Sequence, residues 1–433
     1  MARKTFLKDL TGVFSSNMFI ILAGLLVSII LTHKLGPGGF GIYSAILVIP
    51  LIVVSFAQLG MSGASVYHIG RKHFEQRDIV ANVLMILVIT SILGILITAA
   101  AFWIIGDEKY TTVYILLVLL MIPFRLAMAY FGGIFVGREE ITKANFINWF
   151  SEVVHLAAVI LLVWIFSLGI KGALLALVLS FFLITCWALY TLQREYGLQI
   201  RFRPEIIKSL LSMGFLFSLS FMIIQLNFRI DVLLLKELAT PEEVGYYSLG
   251  VSIAEKLWQI PLAISVVLLS RTVNSNDQEN INRTTARLVR VSLVAGLVAA
   301  AALVAVSPWV IPVIWGVKFL PSVPVMQYIL PGILFISIYR VLNSRLAGIG
   351  KPQFSIYVFT PALVLNVLLN LWWIPLYGAF GAVMATNVSY SLGTIAYVIL
   401  YSRIVGMPVI EIFKFQKNDF NFVKEMKKWL IRS

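Results

Sequence analysis

The sequence predicts an all-α integral membrane protein of 12 transmembrane helices, arranged as two six-helix, pseudo-symmetric lobes around a central cavity. Three observations predict it. The 433 residues are 60% hydrophobic and only 12% charged. A soluble domain carries roughly 25% charged residues, so most of this chain must face lipid. Apolar runs of about 20 residues or more, long enough to cross a bilayer, recur along the whole chain. Two phrases also recur half a chain apart. Phe40-Gly41-Ile42-Tyr43-Ser44 returns as Val244-Gly245-Tyr246-Tyr247-Ser248, offset by 204 residues, and Gly169-x-x-Gly172-Ala173-x-x-Ala176 returns as Gly378-x-x-Gly381-Ala382-x-x-Ala385, offset by 209. A duplicated block of apolar helices implies two lobes that rock about a shared site.

The spans follow in order. Span 1, about 11–33, follows Arg3, Lys4 and Lys8 and is too long for the core of a cleaved signal. Span 2, about 40–66, leads to Arg71, Lys72 and Arg77. Spans 3 and 4, about 79–104 and 111–136, lead to Arg138 and Lys143. Spans 5 and 6, about 145–167 and 171–193, lead to Arg194, Arg201, Arg203 and Lys208. Spans 7 and 8, about 206–236 and 245–269, lead to Arg271, Arg283, Arg287 and Arg290. Spans 9 and 10, about 287–315 and 323–348, lead to Arg345 and Lys351. Spans 11 and 12, about 354–376 and 378–403, lead to seven basic residues from Arg403 to Arg432.

The turns on the opposite side hold only Lys34, Lys109, Lys171, Lys236 and Lys318. Basic residues gather on the cytoplasmic side of membrane proteins, so this asymmetry places both termini in the cytoplasm and fixes the span count. The expected organisation is an N-terminal lobe over 1–200, a C-terminal lobe over 201–407 and a cytoplasmic tail over 408–433. In the tail, Phe422, Met426, Trp429 and Leu430 share one helical face, which predicts an amphipathic helix on the inner leaflet.

Several function classes are excluded. The net charge of +14 is dispersed through the turns, so it suits anionic headgroups and not nucleic acid. The single cysteine, Cys186, forms no intramolecular disulfide or thiolate cluster. His33, His68, His73 and His155 lack metal-ligand spacing. Loops are short, with no paired-carboxylate motif, phosphate-cradling glycine loop or Ser/His/Asp set. No enzyme activity, metal or cofactor is expected.

Two equal halves of six spans enter the membrane in the same direction. Gly137-Arg138 after span 4 and Gly350-Lys351 after span 10 add a third echo. The text Leu35-Gly36 with Phe40-Gly41-Ile42-Tyr43-Ser44 resembles the polysaccharide repeat-unit flippases, also called O-antigen or lipid-linked oligosaccharide flippases. So do Asn227-Phe228-Arg229-Ile230-Asp231, Val244-Gly245-Tyr246-Tyr247-Ser248 and Ile374-Pro375-x-x-Gly378-x-x-Gly381-Ala382-x-x-Ala385-Thr386. These belong to the superfamily that includes the multidrug and toxin extrusion transporters. The resemblance covers nearly the whole chain. It implies movement of an undecaprenyl-diphosphate-linked sugar unit from the inner to the outer leaflet of a bacterial plasma membrane. It also implies, as partners, the polymerase and glycosyltransferases of the same pathway.

Function is expected where charge is kept in lipid, because a charge at the bilayer centre costs at least ~2.5 kcal/mol. Arg125 lies roughly 16 Å above the inner end of span 4, and Arg340 roughly 12 Å above that of span 10, from a rise of 1.5 Å per residue. Lys256 is near the middle of span 8, and Arg229 is in the outer part of span 7. These four cations are the expected ligands of the carrier's diphosphate, since guanidinium forks match phosphate geometry. Asp231, Glu255, Glu152 and His155 are candidates for a coupling H+ or Na+. For each of these residues the other use is a structural ion pair between helices. Asn343, Asn366 and Asn370, among other polar residues, could meet sugar hydroxyls or bridge helices. The rival transport function is a multidrug/cation antiporter on the same fold, whose cavity should be apolar and acidic. A lipid II flippase would need two further helices.

Overall fold

The computed structural model describes residues 2–71, 74–105, 110–138, 140–197, 201–259, 261–262, 264–265, 268, 278–349, 351, 353–416 and 419, the side chains of residues 2–18, 70, 71, 105, 213, 216 and 217 excepted. The described backbone is helical almost throughout. Nine helices among the described residues are long and apolar enough to cross a membrane. Two of the nine hold a non-helical residue. Helix α1 (Ala2–Ala57) breaks at Gly36, with φ 65° and ψ −179°, between expected spans 1 and 2. Helix α11 (Phe354–Val405) breaks at Gly378, with φ 54° and ψ −133°, between expected spans 11 and 12. Both turns need a left-handed residue, which glycine supplies without a Cβ penalty.

The chain forms two compact units. The first holds Met1–Lys236, Thr240–Gly245 and Ile314–Lys318. Its elements are α1, α2 (Met61–Arg71), α3 (Gln76–Ile105), α4 (Thr112–Gly137), α5 (Ile141–Val159), a π-helical turn (Ile160–Ile165), α6 (Gly169–Tyr196) and α7 (Pro204–Leu238), the last to Lys236. Helix α4 is the hub and packs against α1, α2, α3, α5 and α6. Its buried face carries Ile122, Leu126, Phe131, Ile134 and Phe135. The outer face of α3 leaves Ile92, Leu93 and Leu96 exposed, as a lipid-facing wall requires.

Expected span 2 is not one continuous helix. It ends at Ala57, turns through Leu59 (φ 46°) and Gly60 (φ 61°), and restarts as α2. Irregular backbone survives at membrane depth only where protein groups satisfy it. Here Ser218 Oγ donates to the Phe56 carbonyl at 3.0 Å and Tyr130 Oη to the Ala57 carbonyl at 3.1 Å. Helix α7 crosses the break at Gly214, where an added Cβ would lie 2.0 Å from the Leu59 carbonyl oxygen.

The segment joining α6 to α7 is fastened to the start of α3. Asp78, fully buried, pairs with Arg203 at 2.9 Å and Arg201 at 3.4 Å. The Arg203 amide donates to Asn82 Oδ1 at 3.0 Å, and Tyr196 Oη to Gln76 Oε1 at 3.0 Å.

The second unit holds Glu237–Ala239, Tyr246–Val313 and Phe319–Ser433. Helix α8 (Pro241–Ala254) begins in the first unit and continues into the second, where a 3₁₀ turn (Glu255–Trp258) follows it. Then come α9 (Gln278–Trp315), α10 (Ser322–Gly348), α11 and the short α12 (Val409–Phe413). Helix α10 packs on α11 through a buried chain in which Tyr339 Oη donates to Ser355 Oγ, and Ser355 Oγ and Tyr397 Oη donate to Asn343 Oδ1, at 2.8–3.0 Å. Asn366 Nδ2 reaches Ser389 Oγ at 3.2 Å, and Asn370 Nδ2 reaches Asn366 Oδ1 at 3.0 Å. Asn343, Asn366 and Asn370 are thus engaged in hydrogen bonds within and between helices. The expected tail helix through Phe422, Met426, Trp429 and Leu430 lies outside the described residues.

Candidate functional site

Each unit sets an arginine of a membrane-long helix against an aromatic ring with a glutamate beside it. In the first unit the arginine is Arg125 on α4, two residues after Pro123, which interrupts the helical ladder there. Its guanidinium lies over the Phe181 ring of α6, 5.2 Å from the centroid. Glu152 on α5 acts electrostatically on Arg125 and also on Tyr43 of α1. His155, one turn further along α5, sits with Nδ1 3.8 Å from Glu152 Oε2. It is buried, and its Nε2 has no hydrogen-bond partner among the described residues. Four helices therefore converge on a group that contains a permanent cation, a carboxylate and an imidazole.

The fold explains why these side chains meet. The aromatic rings of Phe146 and Phe150 stack at 4.8 Å, and Phe146 also meets Trp187 at 4.5 Å, which fixes α5 against α6. Thr185 Oγ1 donates to the Phe124 carbonyl at 3.3 Å and holds α6 to α4 beside Arg125. A guanidinium stacked on a ring loses little rotamer freedom when it binds an anion and keeps its N–H edge free for it.

In the second unit the arginine is Arg340 on α10. Its guanidinium lies 4.4 Å from the Trp258 ring centroid. Glu255, three residues before Trp258, interacts electrostatically with it, as do Tyr339 and Tyr390. The Arg340 carbonyl accepts from Ser265 Oγ at 3.2 Å. The neighbours Glu255 and Lys256 differ in exposure, with Glu255 partly buried and within electrostatic reach of Arg340 and Lys256 exposed.

The other two expected residues are on α7, in the first unit. Asp231 is 1% exposed and Arg229 is half-buried, and both are engaged with neighbouring groups. Among the candidates, then, Arg125, Glu152 and His155 come together in the first unit and Arg340 and Glu255 in the second, while Lys256 is exposed and the α7 pair is engaged with neighbouring groups. Phe181 and Trp258 were not foreseen. With 29 Phe and 10 Trp in the chain, nothing local distinguishes the ring that lies on an arginine from one that faces lipid. Among the described residues, no group of histidine, cysteine and carboxylates could hold a metal ion.

Comparison with known proteins agrees with this architecture. The family model for "Polysaccharide biosynthesis protein" matches residues 6–272, and the MatE family model matches residues 217–372. An uncharacterized membrane protein of Methanocaldococcus jannaschii is 23% identical over 417 residues, covering 88% of this chain and 94% of its own. A Haloferax volcanii protein named "Probable flippase AglR" is 22% identical over 402 residues, covering 88% and 80%. Among solved structures, an inward-facing multidrug resistance MATE transporter of the MOP superfamily superposes with TM-score 0.74 at 15% identity, over 89% of this chain and 94% of that one. The lipid II flippase MurJ in an inward closed conformation superposes with TM-score 0.72 at 16% identity, over 96% and 95%. These structures establish the shared fold.

Proposed function

This chain belongs to the polysaccharide biosynthesis protein family, and from that premise we propose that it is a flippase for a sugar unit linked to an isoprenoid diphosphate. The carrier is undecaprenyl diphosphate in a bacterial inner membrane, and the direction is from the inner to the outer leaflet by alternating access. The observation that carries the reading is the pair of intramembrane arginines, Arg125 and Arg340, each stacked on an aromatic ring. A diphosphate offers several acceptor oxygens and about two negative charges to such donors. Lys256 and Arg229 would take over the anion as the path opens outward. Glu152 with His155, Glu255 and Asp231 are the groups through which a proton or sodium ion would couple to the cycle. The chain carries no catalytic role in this reading. It receives its substrate from glycosyltransferases and delivers it to a polymerase.

The organisation that supports this function is two lobes of six spans, over 1–200 and 201–407, with both termini in the cytoplasm. Two of the nine membrane-long helices divide at Gly36 and Gly378. Helix α8 opens an expected span whose later part lies largely outside the described residues. In this reading each divided helix counts as two spans and α8 opens one more, which makes 12.

A second reading, a multidrug/cation antiporter, is favoured by the MatE match over 217–372. The permanent positive charges of Arg125 and Arg340 oppose it, because they repel an organic cation. Purified protein in liposomes separates the two. Movement of a labelled polyprenyl-diphosphate-linked oligosaccharide between leaflets supports the flippase. Uptake of a cationic dye against a proton or sodium gradient, with no lipid movement, overturns it.

A further inference from the structure

The two copies of the repeated phrase, which the sequence only shows to be similar, touch one another. A Cβ on Gly41 would lie 1.8 Å from the Pro241 carbonyl oxygen and 2.9 Å from the Gly245 amide nitrogen. A Cβ on Gly245 would lie 2.2 Å from the Pro37 carbonyl oxygen. The contact is reciprocal. Gly41 and Gly245 differ by the repeat offset of 204, and so do Pro37 and Pro241. The next pair follows the same rule, because a Cβ on Gly38 would lie 2.7 Å from Glu242 Oε1. Both glycines are buried, and the void beside them is about 10 Å³, bounded by Gly41, Ala45, Val244, Lys236 and Tyr110. That is room for about one water. Lys236 Nζ lies 4.9 Å from the Tyr110 ring. A second contact joins the same unit from a distant stretch of chain, with Trp315 Nε1 donating to Ser28 Oγ at 2.9 Å.

We propose that Gly41 and Gly245 form the outer gate of the transport path. The proposal rests on the flippase reading for its meaning in the cycle. These residues lie at or near the expected outer ends of spans 1, 2, 4, 7, 8 and 9 or in the outer turns beside them. Backbone lies directly on backbone, so the surfaces are flat and can part without withdrawing side chains from one another. The symmetry makes the two glycines equivalent halves of one contact. Alanine at either should wedge the mouth to the same degree, and alanine at both should add little to one.

The test uses a cysteine-free chain carrying Cys186→Ser. In it, Gly38→Cys with Glu242→Cys is oxidised, or bridged by a short bifunctional thiol reagent. The bridged protein should move labelled polyprenyl-diphosphate-linked oligosaccharide at least about tenfold more slowly, and reduction should restore the rate. Full transport by bridged protein, or failure of the two thiols to bridge by either route, overturns the gate. A separate arm needs no substrate. Labelling of Ile42→Cys by a membrane-impermeant maleimide from outside should rise in Gly41→Ala and in Gly245→Ala, in protein that remains monodisperse. Unchanged labelling in both overturns the gate. Absence of lipid movement by the unbridged parent sinks the flippase reading and leaves the labelling arm to decide the gate.

Discussion

Arg290 clasps Asp419 through two hydrogen bonds, Nε to Oδ2 at 2.7 Å and Nη2 to Oδ1 at 2.9 Å, while its Nη1 holds the carbonyls of Glu411 and Ile412 at 3.1 and 3.0 Å. One buried guanidinium thus fastens the segment after the last membrane helix to α9. Removing one partner of such a pair strands the other charge, at a cost of about 3 kcal/mol. Arg290→Ala should therefore release residues near 411–419 to limited proteolysis and leave the membrane-spanning helices intact. Unchanged protection of this segment would refute the clasp.

The same pair sets a pH dependence. Burial pushes the Asp419 carboxyl up, but the Arg290 hydrogen bonds, the Gln416 amide and the charges of Arg290 and Arg287 bring it below the usual aspartate range. A lowered carboxylate contributes stability that is present above its unfolded value and is lost as pH falls through the folded one. The segment should stay protected on acidification through about pH 5 and be released only at or below the ordinary aspartate range. Release already at weakly acidic pH would contradict this assignment.

Gly214 and Gly63 give a matched pair for stability. A Cβ on Gly214 meets the Leu59 carbonyl oxygen at 2.0 Å, whereas one on Gly63 meets nothing within 4 Å. Gly214→Ala should destabilise by about 1–3 kcal/mol through overpacking. Gly63→Ala, inside α2, should be neutral or stabilising by about 0.5–1 kcal/mol. Thermal unfolding in detergent orders the two, and equal midpoints would mean that α7 does not rest on the helix break.

Arg125→Gln and Arg340→Gln should each lower lipid-linked sugar movement by at least about tenfold, since a charge-assisted hydrogen bond to phosphate is worth about 1.5–3 kcal/mol. Phe181→Ala and Trp258→Ala should give smaller losses that appear mainly as weaker substrate binding. Initial rates in proteoliposomes at matched protein content measure this, and wild-type rates in both arginine variants would remove the diphosphate site.

Glu152→Gln should separate coupling from movement. Downhill lipid exchange should persist, while any acceleration by an imposed proton or sodium gradient should disappear. Retained acceleration would move the coupling role to Glu255 or Asp231.

Much of the fold is legible in the sequence because the bilayer makes strong local demands. A low charge fraction, the apolar runs and the lysine and arginine asymmetry can be read residue by residue. The helix breaks at Gly36 and Gly378 lie where the spans were expected to end, since glycine there answers a backbone requirement. The break at Leu59–Gly60 was not legible. A leucine in a left-handed turn has no local cause, and the turn exists because α7 lies across it and Ser218 and Tyr130 satisfy its carbonyls.

The sequence by itself determined that the chain spans the membrane, and it displayed two repeated phrases and a few charges set within its apolar runs. Only the tertiary structure decided which of those charges share a site. It left Glu255 half-buried within electrostatic reach of Arg340 and Lys256 exposed. It set Phe181 and Trp258 on the two arginines and brought Gly41 against Gly245. The physical reason is the solvent. In water, an apolar stripe on a helix points to the core. In lipid, the core-facing and lipid-facing sides are both apolar, so periodicity records immersion and gives no direction. Direction comes from packing, through small residues that let backbones touch and polar groups that must find partners.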